Sequence, residues 1–394
     1  MYKNLNKTIS AKTILIFLLI VYGFYLCFVG GYGSDEDTLP MIYVFEKRLM
    51  HGTFVSSRFT SYPVAEIGIG FLSYYVGSWL VNSVTFFLYL VGISIFYLSF
   101  FKKIDLDKFQ IYLILCLSST VLFFENLEPM GYSWAFFFFA AGTFFLSKRI
   151  FELAILAFAF AVGTRMNFLI FALIVIFFFQ YDEKINNTKK IILSFCTFII
   201  GGLFYLPIWF ENGFDLTWIT AARPIEQGFI GLLARFSYKV WLTIGVFQFF
   251  IIAYLLKKNF FTKKKLKKYK LIFLLILANL LLFLYIPAEL SYMQPALIFL
   301  YFALIQEFNK KLIIALITLN FMNWVINFDI LNVQYQDNSR CGPKHAISAN
   351  FKLSTKPGNI ENFFLTRDMI NCWVDVETPR GKRIIEGKST KIKD

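Results

Sequence analysis

The sequence predicts an all-α polytopic membrane protein with about eleven transmembrane helices. Three observations predict it. Of the 394 residues, 58% are hydrophobic and 16% are charged, whereas soluble domains average about 25% charged. The apolar residues come in long uncharged runs, and about 17–25 such residues cross the hydrocarbon core of a bilayer. The basic residues gather in alternate loops, as the positive-inside rule requires. A β-barrel is excluded, because its strands would alternate every second residue.

The first run, from Thr13 to Gly30, holds no charge and follows Lys3, Lys7 and Lys12. This order puts the N-terminus in the cytoplasm. The run is not read as a cleaved leader, since no A-x-A-like site follows it, and Leu26 stands before Cys27 where a lipobox needs Gly or Ala. The region 31–80 is then an outer loop. It carries Ser34-Asp35-Glu36-Asp37, then Glu46, Lys47 and Arg48, then Ser57-Arg58-Phe59-Thr60-Ser61-Tyr62-Pro63. The stretch 64–80 is apolar but contains Glu66 and several small residues. It reads as a juxtamembrane or re-entrant helix; as a full span it would reverse the side of every later loop.

Later spans fall near 84–101, 109–124, 133–147, 150–163, 167–180, 190–208, 239–256, 271–286, 295–307 and 311–328. Inner loops then hold Lys102, Lys103 and Lys108; Lys148 and Arg149; Lys184, Lys189 and Lys190; eight lysines from Lys257 to Lys270; and Lys310 with Lys311. The outer loops at 125–132 and 287–294 hold no Lys or Arg. This asymmetry places the C-terminus outside. Residues 1–328 form the transmembrane domain. Residues 329–394 form a small polar extracytoplasmic region, too short to bury much core alone.

The net charge of +14 is absorbed by this topology, so nucleic acid is not an expected partner. The lysine-rich 257–270 segment reads as an anchor that also meets anionic lipid. Cys27, Cys116 and Cys196 stand singly in apolar runs and read as small hydrophobes. No CxxC or Cys/His spacing occurs, and His51 and His345 are too few for a histidine metal site. Cys341 and Cys372 lie in the polar tail and are expected to form a disulfide if that tail is outside.

Charges outside the lysine anchors converge on the outer face: the acidic triplet, Arg58, Glu66, Glu125, Glu128, Arg165, Arg223, Arg235 and Glu289. Few ionisable residues fall mid-span, whereas a transporter would hold them there. Asp35 and Asp37 are the catalytic candidates, because a hydroxyl attacking a sugar carbon needs a carboxylate to take its proton. Their hard oxygens also suit a divalent cation, Mg²⁺ or Mn²⁺. The plainer alternative is a solvated acidic loop; acids contribute little to orientation, which weakens it. Arg165, in Gly163-Thr164-Arg165-Met166-Asn167, interrupts two apolar runs, and its chain neighbours include no acid. A guanidinium fork suits phosphate oxygens; the alternative is a snorkelling arginine that pins a turn. Arg58, Arg223 and Arg235 carry the same pair of readings. Glu36, Tyr62, Glu66, Glu128, Glu289 and Tyr292 are the substrate-contact candidates, with Tyr62, Tyr132 and Tyr292 as stacking platforms for sugar rings.

These pieces together resemble the GT-C superfamily of integral-membrane glycosyltransferases. The likeness rests on Ser34-Asp35-Glu36-Asp37, on Ser57-Arg58-Phe59-Thr60-Ser61-Tyr62-Pro63-Val64-Ala65-Glu66, on the Arg165 segment, and on Tyr285-Ile286-Pro287-Ala288-Glu289-Leu290-Ser291-Tyr292. It covers residues 1–328. It implies that Asp35 is the catalytic carboxylate of an inverting hexosyl- or pentosyltransferase. It also implies a polyprenyl-phosphate sugar as donor, and a cell-surface glycan or glycolipid as acceptor on the outer face of a bacterial inner membrane. The chain departs from members with a large soluble C-terminal domain, which leaves the acceptor open. Length, span count and Phe/Ile/Lys-rich composition also resemble O-antigen or exopolysaccharide repeat-unit polymerases. Those place functional arginines in later outer loops, here the 210–238 loop with Arg223 and Arg235. A lipid-linked glycan flippase or transporter is the third reading.

Reporter fusions test the topology directly. Fusions after Lys268 and after Lys344 should report opposite compartments, and equal signals would move the acidic triplet to the wrong side.

Overall fold

The computed structural model describes residues 10–33, 38–52, 62–101, 103–180, 185–211, 229–260, 263–287, 290–307, 309–336 and 345–366. Helix dominates them. Helix α1 (Ala11–Val29) starts where the Ser10 hydroxyl accepts from the Thr13 amide at 3.2 Å, an N-cap that satisfies one of the orphan donors of a helix start. Phe17, Val21, Tyr25 and Phe28 are exposed along one side of α1, while Leu19, Gly23, Leu26 and Cys27 are buried on the other. Helix α10 (Asn187–Leu203) likewise exposes Ile191, Ile192, Phe195 and Phe198. Apolar faces of this extent are poorly tolerated in water, and they are compatible with a surface bathed in lipid.

Two described helices, α1 and α4 (Ser78–Leu98), are each long and apolar enough to cross a membrane. Several more are apolar but shorter, among them α7 (Gly131–Ser147), α8 (Phe151–Thr164) and α9 (Phe168–Phe178). Elsewhere, runs that read as single spans are broken. The 109–124 run divides into α5 (Leu106–Ser118) and α6 (Thr120–Phe124), because Ser119 turns extended at ψ 126°. The Ser118 carbonyl at the break accepts from the Trp324 indole at 2.8 Å, and the Ser118 hydroxyl bonds the Asn320 amide at 3.2 Å. Backbone released from a helix at this depth needs such internal partners.

The 239–256 span is corrected more sharply. It is two helices, α12 (Phe229–Ile244) and α13 (Val246–Phe260), meeting at Gly245 with a bend of 92°. Gly245 has φ 91°, a region that side-chain-bearing residues rarely enter. The bent pair makes a third candidate span at most. The 190–208 run likewise ends as α10 followed by α11 (Leu206–Glu211).

A basic helix, α14 (Lys263–Lys268), leads into α15 (Lys270–Tyr285); a 3₁₀ turn (Leu290–Met293) leads into α16 (Gln294–Gln306). All residues of α16 from Gln294 to Ile305 are buried. Its Phe299 ring lies 5.3 Å from Phe96 of α4 and 6.0 Å from both Phe139 of α7 and Phe171 of α9. Helices α5 and α15 pack on it as well. Small residues let neighbouring helices close in: Gly142 of α7 sits against Phe158 of α8, and Gly201 of α10 against Val162.

The polar tail does not stand apart among the described residues. Helix α17 (Lys310–Val325) runs straight into an antiparallel ribbon of β1 (Ile326–Gln336) and β2 (His345–Pro357), paired from Ile326↔Pro357 to Gln336↔His345. The described elements outside this ribbon are all helices, as the all-α reading expects. Helix α18 (Asn359–Thr366) then returns to the bundle: Asn359 Nδ2 donates to the Asn323 carbonyl at 2.7 Å, and Phe363 joins the main core.

The break at Gly245 is open to test. A Cβ there would lie 2.5 Å from Gln248 Oε1 and 2.9 Å from Asn323 Nδ2. Gly245→Ala should therefore cost roughly 1–2 kcal/mol from the left-handed backbone alone and lower the unfolding midpoint by several degrees. An unchanged midpoint would mean that the bend is not held at this residue.

Candidate functional site

The site is built at the end of the bundle where α7 begins and α8 ends. Helix α2 (Thr38–His51) and helix α3 (Pro63–Tyr75) form an antiparallel pair laid against α4 and α8. Pro63 occupies the first turn of α3, where its missing N–H is no loss. Glu66 is fully buried. One of its oxygens accepts from the Tyr62 amide at 3.1 Å, closing the helix start, and the other pairs with Arg48 Nη2 of α2 at 2.5 Å. Removing one partner of a buried pair typically costs about 3–5 kcal/mol, so this pair fixes α2 on α3 and sets the position of Tyr62.

Arg165 ends α8 by turning extended, at φ −151° and ψ 116°. The turn is tight: the Arg165 amide donates to the Ala161 carbonyl at 2.9 Å, and its own carbonyl accepts from Phe168 at 3.0 Å as α9 starts. Tyr205, at the end of α10, donates its hydroxyl to the Val162 carbonyl at 2.7 Å and braces the same corner. The Arg165 side chain is 4% exposed. Its guanidinium carbon lies 3.2 Å from the centre of the Tyr132 ring, 4.4 Å from Tyr62 and 5.7 Å from Tyr292. The Tyr132 and Tyr292 rings are themselves 5.3 Å apart. Four separate chain segments thus meet at one cation.

The chemistry of this cradle follows from geometry. A guanidinium is planar, with its N–H donors in the plane and its π face above and below. The ring faces of the tyrosines attract the cation, each desolvated contact contributing up to about 2 kcal/mol. In a water-poor setting the charge-assisted bonds of a guanidinium are stronger than at a surface. The tyrosines expected to stack on sugars therefore serve here as the seat of the arginine.

Glu128 stands on the loop before α7 and packs directly against Gly33. Gly33 has φ 83°, and a Cβ on it would fall inside the Glu128 carboxyl group, so only glycine fits. Asn82 holds the preceding residues, donating to the Gly31 carbonyl at 2.5 Å and the Cys27 carbonyl at 3.3 Å. Gly33 is two residues before Asp35 in the chain.

The structure brings together Tyr62, Glu66, Arg165 and Tyr292 from the sequence candidates, and places Glu128 at the same end. Asp35, Glu36, Asp37, Arg58, Arg223, Glu289, Cys341 and Cys372 lie outside the described residues. Glu66, expected at the substrate, engages Arg48 and the Tyr62 backbone. Arg48 and Tyr205 were not singled out as site residues; Arg48 is one of several charges in its loop, and nothing in a linear reading pairs it with Glu66. Among the described residues no three His, Cys, Asp or Glu side chains gather as a metal site.

The cradle predicts a contrast at Tyr132. Tyr132→Phe keeps the aromatic face and should unfold close to wild type. Tyr132→Leu removes it and should lose about 1–2 kcal/mol, read as a lowered midpoint in detergent; equal midpoints for the two variants would rule out the stacking account. No protein-family model, curated sequence or solved structure matches this chain, so the arrangement itself has to carry the functional reading.

Proposed function

We propose that the chain is a GT-C-type membrane glycosyltransferase with about eleven crossings, an inner N-terminus and an outer C-terminus. It takes a sugar from a polyprenyl-phosphate donor at the outer face of the cell membrane. The observation that supports this reading best is the Arg165 cradle. A buried guanidinium held by aromatic faces suits the phosphate of a donor entering from the lipid. The path of the chain agrees with the proposed topology. Tyr132 and Arg165 stand at one end of α7 and α8, and Lys148 and Arg149 at the other, about 22 Å along a 15-residue rise.

In this mechanism the acceptor hydroxyl attacks the anomeric carbon. The bond from that carbon to the phosphate oxygen breaks, and its electron pair leaves on the polyprenyl phosphate. Arg165 meets the growing charge on the leaving phosphate. The acceptor's proton passes to the Asp35 carboxylate, with Asp37 as the alternative base. Glu128 and Gly33 belong to the approach from which the acidic triplet continues.

A transporter reading would draw on the break at Gly245, since broken helices often carry transported ions or substrates. The nearest side chains to that glycine among the described residues are the neutral amides of Gln248 and Asn323.

The assay is sugar transfer from a polyprenyl-phosphate donor in membranes bearing each variant. General-base help is typically worth about 10²–10⁴-fold, so Asp35→Asn should lose activity by that factor while inserting normally. Arg165→Ala should raise the donor KM. Near-normal activity in both Asp35→Asn and Asp37→Asn, with loss on Arg223→Ala, would sink this mechanism in favour of the repeat-unit polymerase.

A further inference from the structure

Helices α12 and α13 meet at 92°, so one of them crosses a bilayer only where the other lies close to its plane. The crossing arm is α13. Phe247, Phe250 and Tyr254 stand open along it, Phe250 at 60% exposure, and Lys257 and Lys258 close its far end. Its apolar part, from Val246 to Leu256, rises about 16 Å, well short of the roughly 30 Å of a hydrocarbon core. A helix lying in the interface sinks about 5–10 Å into the boundary of headgroups and acyl chains. Lysine stems at the opposite end reach outward to water. Together the two make up the difference, so the short arm itself calls for a partner helix laid in the interface.

Helix α12 has the three sides that such a seat requires. One side faces the protein. Leu232 and Thr243 are buried, and Phe236 and Val240 pack on Phe283, Met293 and Ala296 beside Tyr292, with the Phe236 and Phe283 rings 5.7 Å apart. A second side, with Leu233, Ala234 and Ser237, is open and carries no charge. It runs into the exposed stripe of α13 through Trp241, whose ring lies 5.9 Å from that of Phe250 across the bend. The lipid-compatible surface of α13 thus continues round the corner onto α12. The third side carries Arg235 and Lys239, one turn apart, and the sequence of α12 contains no acid.

We infer that α12 is an interfacial helix. It lies along the phospholipid headgroup layer at the Tyr292 end of the bundle, with its Leu233 side on the acyl boundary and its basic side toward the lipid phosphates. Basic amphipathic helices are held in this plane by apolar burial and by attraction to lipid anions. The left-handed corner at Gly245 is what turns the chain from the plane into the crossing. Because α12 packs on the turn that carries Tyr292, the same seat sets the Arg165 cradle close to headgroup depth. The inference concerns where the chain meets lipid and does not depend on sugar transfer.

The test uses the full chain in phosphatidylcholine vesicles whose acyl chains carry bromine at defined depths, with a fluorescent amino acid placed singly at Leu233, Ser237 or Phe250. All three positions are exposed, so the probe does not enter the core. The probes at Leu233 and Ser237 should be quenched at one shallow depth, equal within about 2 Å, whereas two residues four apart on a crossing helix differ by about 6 Å. The probe at Phe250 should lie about 6 Å deeper than these two. Depths at Leu233 and Ser237 that differ by the full crossing rise overturn the proposal and return α12 to a membrane-crossing segment. Quenching of both by aqueous iodide, with none from bromine, overturns it too and gives the open side to water or a soluble partner. A Phe250 probe that bromine does not reach also overturns it, because the crossing arm that sets α12 in the plane would not be in lipid.

Discussion

The bundle is organised by one helix with no free face. A helix that meets water needs to be apolar only where it is covered, and one that meets lipid is apolar on its open face as well. Helix α16 is covered from Gln294 to Ile305, so every neighbour must find a place around it. The aromatic rings of Phe96, Phe139 and Phe171, from three different helices, converge on Phe299. The ends of those helices are thereby fixed relative to each other. The tyrosine cradle is a consequence of this packing, because Tyr292 enters it from the turn leading into α16.

Polarity is handled differently at the two ends. At the Arg165 end a cation is buried and supported by π faces, and a buried carboxylate, Glu66, is paired with Arg48. At the lysine end charges lie near the boundary of the bundle, where Glu307 collects Lys265, Lys268 and Tyr269. The first arrangement depends on close geometry in a water-poor place. The second is closer to a surface network, in which each pair contributes about 0.2–1 kcal/mol. The two ends can therefore be perturbed separately, by a ring substitution at one and by salt at the other.

Much of this was legible in the chain. Uncharged runs of span length mark the helices, and Arg165 stands out because it breaks two of them. Glu66 sets 64–80 apart from an ordinary span, and the structure gives that region a 13-residue helix, α3, ending before Gly77. What was not legible depends on the third dimension. Tyr62, Tyr132 and Tyr292 are far apart in sequence, and interfacial tyrosines are common enough that none points to the others. The pairing of Arg48 with Glu66 depends on how a hairpin closes. The bend at Gly245 is invisible to hydropathy, because the residues on both sides are apolar; only the backbone angle reveals it. Ser119 hides its break for the same reason, the released carbonyl of Ser118 being answered by a tryptophan more than two hundred residues away.

The choice of arginine at the centre of the cradle has a consequence for behaviour in acid and base. Arginine keeps its proton at any pH a folded protein meets, and the aromatic faces that hold it attract a cation without exchanging protons themselves. A histidine in the same seat would switch off within the neutral range, and a lysine freed of water would shed its charge readily. The charge of this arginine is consequently constant between mildly acidic and mildly alkaline conditions. Any titration in the protein's activity between mildly acidic and mildly alkaline conditions must then originate in other groups.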